Sequence, residues 1–545
     1  MPPAGGQVAF LLFTARRLRP QAQRCRFGYA GKQKRMIFNR NAVASFLGDN
    51  PICRNRVAVE IQQIRSTQGS RSGNPGLCDA TALRFAINES QIMRAIPTLK
   101  ISISGVRGVV GESLTPALLT RFAQAFGTYV GPGTIVIGRD PRTSGEMVRQ
   151  AVIAGLLSSG CRVINIGMCP VPTIQLLVRH HRARGGIAIT ASHNPAEWNA
   201  LKFVGADGLF LNSGQAREML DIYHQGEYTK VAGAEMRDVE EIAGATDLHI
   251  ETILDALGPL PRTRKQLRVV LDSCNGAGSL VGPKLLAALG AAVVPINVTP
   301  NGRFPRPAEP LAENLGDLCA AVKEHQADVG FAQDMDADRL AVVSEEGTAI
   351  GEDYTLVLAA LHILGKTPGP VVANLSTTSS LTAIAGRFGC PLSLTKIGEV
   401  NVTEEMQKQN AVIGGEGNGG VIYPRINFAR DSLVGMALVL HLLAETGKTI
   451  TELLHSFPRY ALIKEKLACP SHQISVVLRM LRREYAQYPM DVRDGVKVIL
   501  PDGWFLVRGS NTEPIIRVIA EAEHEQDVRN IIDSVYQKVL GCINS

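Results

Sequence analysis

Asp334, Asp336 and Asp338 stand at alternate positions in the run Asp334-Met335-Asp336-Ala337-Asp338-Arg339. In an extended loop, carboxylates at i, i+2 and i+4 project to one side, and hard oxygen ligands so spaced suit Mg2+. A solvated acidic turn is the weaker account, because three neighbouring carboxylates repel one another unless a cation neutralises them. A calcium-binding loop is the rival, and Glu345 even falls at its twelfth position. That loop needs glycine at position six, where Arg339 stands, and helices on both sides, where the sequence predicts strands. Arg339 is instead placed to hold a phosphate oxygen beside the metal.

Three further loops carry groups able to handle a phosphorylated ligand. Ser192 lies in Thr190-Ala191-Ser192-His193-Asn194-Pro195, after a predicted strand, with Asn199 and Lys202 close behind. A serine in such a turn is more often a cap than a nucleophile, and the G-x-S-x-G elbow of acyl transfer is absent. Gly414-Gly415-Glu416-Gly417-Asn418-Gly419-Gly420 spells G-x-G-x-x-G, but a strand follows it, so the dinucleotide context fails. Its glycines let backbone approach a ligand, while Glu416 and Asn418 can bind hydroxyls. Arg508-Gly509-Ser510-Asn511-Thr512-Glu513-Pro514, with Arg517 behind it, offers a guanidinium, two hydroxyls and turn N–H groups, the parts of a phosphate cradle. Gly365-Lys366-Thr367 and Gly447-Lys448-Thr449 lack the upstream glycine of a P-loop, which removes support for nucleotide hydrolysis.

The elements that must hold these loops alternate between short β-branched strands and amphipathic helices. Thr115-Pro116 reads as a helix N-cap with proline at the first helical position, followed by Leu118, Leu119, Phe122 and Phe126 at helical spacing. Strands are predicted at 134–137, 162–166 and 186–189, the last running into the Ser192 loop. The alternation restarts at 267–271 and again at 370–373, after Pro/Gly clusters at 258–261 and 367–370. After about Ile463 the pattern becomes strand–helix–strand–strand–helix. The fold class is therefore α/β: three similar α/β domains, 93–258, 259–366 and 367–462, then a smaller α+β domain over 463–545, with a cleft between them.

Residues 1–92 differ from the rest. They hold fourteen Lys/Arg against four acidic residues, a balance of +10 in a chain of net charge +7, which leaves −3 for residues 93–545. A near-neutral body gives no electrostatic footing for specific nucleic-acid binding. The segment is Arg-rich and acid-poor like a transit peptide, but Ser45 is the only serine before residue 49. A disordered extension, or translation that begins at Met93, is favoured. No apolar run reaches the roughly 18 residues of a membrane helix; the longest, Leu433–Leu443, is interrupted by His441. The ten cysteines form no CxxC pair, and buried thiols in a reducing cytoplasm fit them best.

Together, the four loops in this order resemble those of the α-D-phosphohexomutases, over about residues 98–545. This family includes phosphoglucomutase, phosphomannomutase and phosphoglucosamine mutase. The resemblance implies that Ser192 carries the transferable phosphate, with Asp334, Asp336, Asp338 and the Ser192 phosphate holding Mg2+. It implies that Arg107 (in Ser104-Gly105-Val106-Arg107-Gly108), His193 and Lys202 serve catalysis. It assigns Arg339, Lys396, Glu399, Glu416, Asn418, Arg508, Ser510, Asn511, Thr512 and Arg517 to the sugar phosphate. Catalytic amounts of a hexose 1,6-bisphosphate would act as activator, in a cytoplasmic monomer or homodimer whose partner is a small-molecule sugar phosphate. The Glu416–Gly420 form and the Lys396-Ile397-Gly398-Glu399-Val400 loop look most like phosphoglucosamine mutases, with Glu399 and Gly420 where other branches have histidines. Glucose or mannose phosphate is the alternative substrate, and a phosphohydrolase the more remote one.

Overall fold

The computed structural model describes residues 98–102, 105–261, 265–510 and 514–544, and the backbone of 23–29 and 32–38. The chain divides into two units, 1–97 and 98–545. Within the segment read as disordered or untranslated, the strands Gln23–Tyr29 and Lys32–Phe38 form an antiparallel hairpin; its other residues lie outside those described.

In the second unit one topology occurs three times. A first strand is flanked on one side by the second, parallel to it. On its other side lies a parallel third strand, which then pairs antiparallel with a fourth. The strands are Thr134–Arg139, Arg162–Met168, Gly185–Ile189 and Trp198–Gly205 in the first repeat. In the second they are Arg268–Asp272, Ala292–Ile296, Val329–Gln333 and Leu340–Ser344. In the third they are Val371–Asn374, Leu392–Thr395, Ile413–Glu416 and Gly420–Ile422. The loop between third and fourth strand contains Ser192 in the first repeat, the three aspartates in the second and Asn418 in the third. Three chemically different loops thus occupy one topological position. The first sheet also gains Gly105–Val109, which places Arg107 beside Ala200 on the strand that bears Lys202.

The central parallel strands Gly185–Ile189, Val329–Gln333 and Val371–Asn374 are buried on both faces, as crossover helices require. Helix Pro116–Val130 starts as predicted: the Thr115 hydroxyl accepts from Leu118 N. The largest core runs through the second and third repeats, where the almost wholly buried helix Ser432–Thr446 packs on Asp353–Lys366. Asp431 caps that helix by accepting from Leu433 N and Val434 N. No described helix is long and apolar enough to cross a membrane. The seven described cysteines are free thiols.

The last domain is a five-stranded antiparallel sheet in the order Ala461–Ala468, Ile515–Ala522, Gly503–Gly509, Val496–Leu500, Met490–Asp491. Helices Ser471–Glu484 and Glu525–Asn544 accompany it. The sequence pattern showed fewer strands than this. In Ile515–Ala522 apolar residues stand side by side on either side of Arg517 and blur the alternation, and Met490–Asp491 is too short to show one.

Candidate active site

The Ser192 loop is held by a residue that sequence reasoning passed over. Arg142 is wholly buried; its guanidinium donates to the carbonyls of Ser192 (2.7 Å), Asn194 (2.6 Å), Trp198 (3.0 Å) and Pro195. Asp140 balances its charge, accepting from Arg142 Nε at 3.0 Å. Asp140 also accepts from the Thr190 hydroxyl (2.6 Å), which in turn accepts from Ser192 N (3.0 Å). So constrained, Ser192 takes a φ of 51°, a left-handed conformation a non-glycine residue keeps only when its surroundings impose it. Arg107 donates to Asn194 Oδ1 at 2.9 Å from the neighbouring strand.

This clamp points the Ser192 hydroxyl at the aspartates, 3.4 Å from Asp334 Oδ2 and 3.5 Å from His193 Nδ1. Asp334, Asp336 and Asp338 are fully buried, and each offers an oxygen within 4.8 Å of the others. Lys202 donates to Asp336 Oδ2 (2.7 Å), and Arg430 to Asp338 Oδ2 (2.6 Å). The second oxygens, Asp336 Oδ1 and Asp338 Oδ1, are buried without a hydrogen-bond partner among the described residues. Burial and the other two aspartates drive the Asp334 carboxyl well above the usual range. Burial would raise Asp336 as well, but Lys202 outweighs it and holds Asp336 low. Unpaired buried oxygens and one carboxyl pushed toward protonation are what a dication would relieve, so the donor set fits Mg2+. Arg339 donates to Glu309 Oε1 at 2.9 Å and lies 3.4 Å from His193 Nδ1. Burial and Arg339 hold the His193 imidazole neutral, its pKa down to about 3.

Arg430 was also passed over. Besides Asp338, its guanidinium meets Glu399 Oε2 and Glu416 Oε2, each at 3.0 Å, and so joins the three-aspartate loop to the 396–400 and 414–420 loops. Glu399 opens the helix Glu399–Gln409 and gives its other oxygen to Gln175 (3.1 Å). Glu416 accepts from Asn374 (2.9 Å) and Gly398 N (2.7 Å). Burial raises Glu399 despite Arg430; for Glu416 burial is outweighed by Arg430 and these donors, and the carboxyl stays low. A Cβ on Gly420 would lie 2.3 Å from Arg430 Cδ, so the glycine at this position is what admits the arginine. Asn418 Oδ1 accepts from Gly420 N at 3.2 Å, closing the loop. Lys396 is exposed and lines a separate cavity of about 570 Å3 with Asn401, Glu404, Lys408 and Arg493.

In the last domain Arg508 and Arg517 are direct partners across an antiparallel ladder, and Lys466 is the next partner of Arg517. Side chains so paired share one face, so three cations stand in a row beside Ser510. Such a row favours an anion, with Arg508 also meeting Asp494 Oδ1 at 3.3 Å, and Lys466 stands beside the two arginines that the sequence picked out. Asn511, Thr512 and Glu513 lie outside the described residues, as does Ser104.

Comparison with known proteins bears directly on this arrangement. Four models of the phosphoglucomutase/phosphomannomutase family match in succession: α/β/α domain I over 99–230, domain II over 247–347, domain III over 351–460 and the C-terminal domain over 465–538. The chain belongs to this family, the α-D-phosphohexomutases. Among relatives of this phosphohexomutase, a probable phosphoglucosamine mutase of Methanopyrus kandleri is 38% identical over 81% of this chain and 97% of its own. A phosphoglucomutase/phosphomannomutase of Thermococcus kodakarensis is 37% identical over 79% and 96%. A crystal structure of a phosphoglucomutase/phosphomannomutase family protein from Burkholderia thailandensis matches with a TM-score of 0.72 at 26% identity, covering 81% of this chain and 98% of that one. The enzyme is a phosphoglucosamine mutase-like isomerase.

Asp336→Asn in this phosphohexomutase removes one of the three clustered carboxylates and leaves Lys202 facing a neutral amide. Isothermal titration should show Mg2+ binding weakened by at least the roughly 10–100-fold that losing a supporting contact costs a metal site, with excess Mg2+ restoring part of the activity. Unchanged Mg2+ affinity would assign the aspartates another purpose.

Proposed function

We propose that this chain interconverts hexose 6-phosphate and hexose 1-phosphate through a phosphorylated Ser192, in the cytoplasm, with glucosamine 6-phosphate to glucosamine 1-phosphate as its preferred reaction. The observation that carries this reading is the Ser192 hydroxyl held 3.4 Å from a buried three-aspartate cluster. A sugar hydroxyl oxygen attacks the phosphorus of phosphoserine, the bond from phosphorus to Ser192 Oγ breaks, and the hydroxyl proton is delivered to Oγ. The bisphosphate turns over in the cleft, and its other phosphate returns to Ser192 by the reverse exchange. Lys202, Arg107 and Arg339 balance charge around the transferring group, and His193 offers a neutral nitrogen beside Oγ. Mg2+ held by Asp334, Asp336, Asp338 and the Ser192 phosphate would spread the negative charge of that group. The row of Lys466, Arg517 and Arg508, with Ser510, Asn511 and Thr512, grips whichever phosphate is not reacting.

Three tests follow from this reading. A coupled assay with glucosamine, glucose and mannose 6-phosphates, with and without catalytic hexose 1,6-bisphosphate, should show isomerisation of the glucosamine ester fastest. Stoichiometric release of inorganic phosphate without isomer would instead mark a phosphohydrolase. Arg508→Ala should raise KM by roughly 10- to 100-fold, since a charge-assisted phosphate contact is worth about 1.5–3 kcal/mol; unchanged kinetics would take the last domain out of the site. For sugar choice, Glu399→Gln keeps the side chain's size and one acceptor oxygen, enough for Arg430 or Gln175 but not both, and deletes a charge that an ammonium group would feel. It should shift kcat/KM against glucosamine phosphate relative to glucose phosphate by roughly fivefold, the size of about 1 kcal/mol. Equal losses for both sugars would return the preference to glucose or mannose phosphate.

A further inference from the structure

Two buried histidines serve no part of this chemistry. His362, on helix Asp353–Lys366, and His441, on helix Ser432–Thr446, face each other across the packed pair with ring centroids 5.9 Å apart. Both helices are mostly apolar where they pack together, and a buried imidazole without a task is a cost. Glu445, one turn beyond His441 and exposed, reaches back between them. His441 Nδ1 lies 3.7 Å from Glu445 Oε1, and His362 Nδ1 lies 3.8 Å from Glu445 Oε2. These separations are too long for hydrogen bonds. They approach the spacing of about 3.3 Å between neighbouring ligands of a tetrahedral ion bound at about 2.0–2.1 Å. All three ligand atoms lie within 4.8 Å of one another.

The tautomer also suits an ion. His441 Nε2 faces the carbonyl of Gly258 at 3.2 Å and can only donate there, which leaves the Nδ1 lone pair pointing inward. A histidine whose outer N–H is held by a backbone carbonyl is the usual supporting arrangement for a metal ligand. Burial, joined for His362 by the nearby Lys366 ammonium, keeps both rings neutral, with His362 down to about 4. The ion's competitor is Lys366, which donates to Glu445 Oε1 at 2.5 Å from an exposed position. We propose that His362, His441 and Glu445 form a second metal site, for a borderline divalent ion of the Zn2+ class, with solvent as fourth ligand. Two imidazoles and one carboxylate select such an ion over Mg2+, which prefers an all-oxygen shell. The ion would fasten these two helices together and hold them to the Gly258 turn.

The test uses the full chain, stripped by chelation and resupplied with saturating Mg2+ so that the aspartate cluster is filled. Equilibrium dialysis against buffered Zn2+ should find one Zn2+ per chain that Mg2+ does not displace, and Asp336→Asn should leave it in place. Glu445→Gln and His441→Gln should each weaken it at least tenfold. Lys366→Ala should strengthen it severalfold by removing the competing ammonium. Co2+ in place of Zn2+ should give the visible absorption of a tetrahedral site. No bound Zn2+, binding indifferent to Glu445→Gln, or binding weakened by Lys366→Ala would overturn the proposal. Glu445 and Lys366 are exposed, so neither substitution endangers the fold. Mutase activity with Mg2+ does not depend on the outcome.

Discussion

Ser192→Ala should lose turnover by roughly 10^4-fold or more, the scale on which removal of a covalent nucleophile acts. The fold should survive, because the hydroxyl contributes little to it: its contacts, 3.4 Å to Asp334 and 3.5 Å to His193, are at the limit of hydrogen bonding. The loop is shaped by backbone groups that alanine keeps, the Ser192 carbonyl on Arg142 and the Ser192 N–H on Thr190. Melting temperature and Mg2+ affinity should therefore stay near those of the native enzyme. Intact-mass and peptide spectra of the native protein should find a phosphoryl group on Ser192 in a fraction of molecules, and the alanine variant should lack it. Phosphate found only on another residue, or an active alanine variant, would sink the phosphoserine mechanism. Ser192→Gly adds a control, since glycine takes a φ of 51° without strain. It too should be inactive, which would separate chemistry from loop geometry.

The parts of the site legible in the sequence are those whose signal is local. Asp334, Asp336 and Asp338 announce themselves by spacing, Ser192 by a strand running into a polar turn, and Glu416 by the glycines around it. The strand expected at 267–271 runs from Arg268 to Asp272, and the other four strands placed in the three repeats also begin and end within two residues of expectation. What escaped depends on contacts between distant segments. Arg142 stands in a turn that reads as an ordinary loop, and the four carbonyls it holds lie 50 to 56 residues away. Arg430 is 92 residues from Asp338 and looks like any polar residue before a helix cap. Its one trace is the missing side chain at Gly420, which shows as a departure from a histidine-bearing pattern but not as room for an arginine. Lys466 becomes part of the cradle only through strand register, which an alternating pattern does not fix between segments. The shared position of the three functional loops was hidden for a related reason. Buried parallel and antiparallel strands look alike in composition, so the reversal that creates each loop left no mark.

Arg430→Gln should be the most damaging substitution outside the reacting groups, and its signature should separate support from chemistry. The guanidinium is buried and is the shared counter-ion of Asp338, Glu399 and Glu416. Breaking a buried ion pair by removing one partner costs about 3–5 kcal/mol, because the other charge is left without compensation. Here three carboxylates lose their partner beside two more, Asp334 and Asp336, so the upper end of that range applies. The melting temperature should fall by roughly 10 °C or more. The Mg2+ response should run the other way. If Asp338 holds Mg2+ as proposed, deleting a cation 2.6 Å from it frees its full charge for the ion, so titration should find Mg2+ bound more tightly. Added Mg2+ should then recover more of the lost melting temperature in the variant than it adds to the native enzyme, since an ion that binds only the folded state stabilises it according to its affinity. Activity should not follow that recovery. Glu399 and Glu416 lose the fork that sets their positions, and kcat/KM for the hexose phosphate should stay at least roughly 100-fold down even when Mg2+ is saturating. Arg430→Lys restores charge without the planar fork and should regain stability ahead of catalysis. An unchanged melting temperature, or Mg2+ binding weakened in step with activity, would show that Arg430 does not bridge the metal and sugar loops in solution.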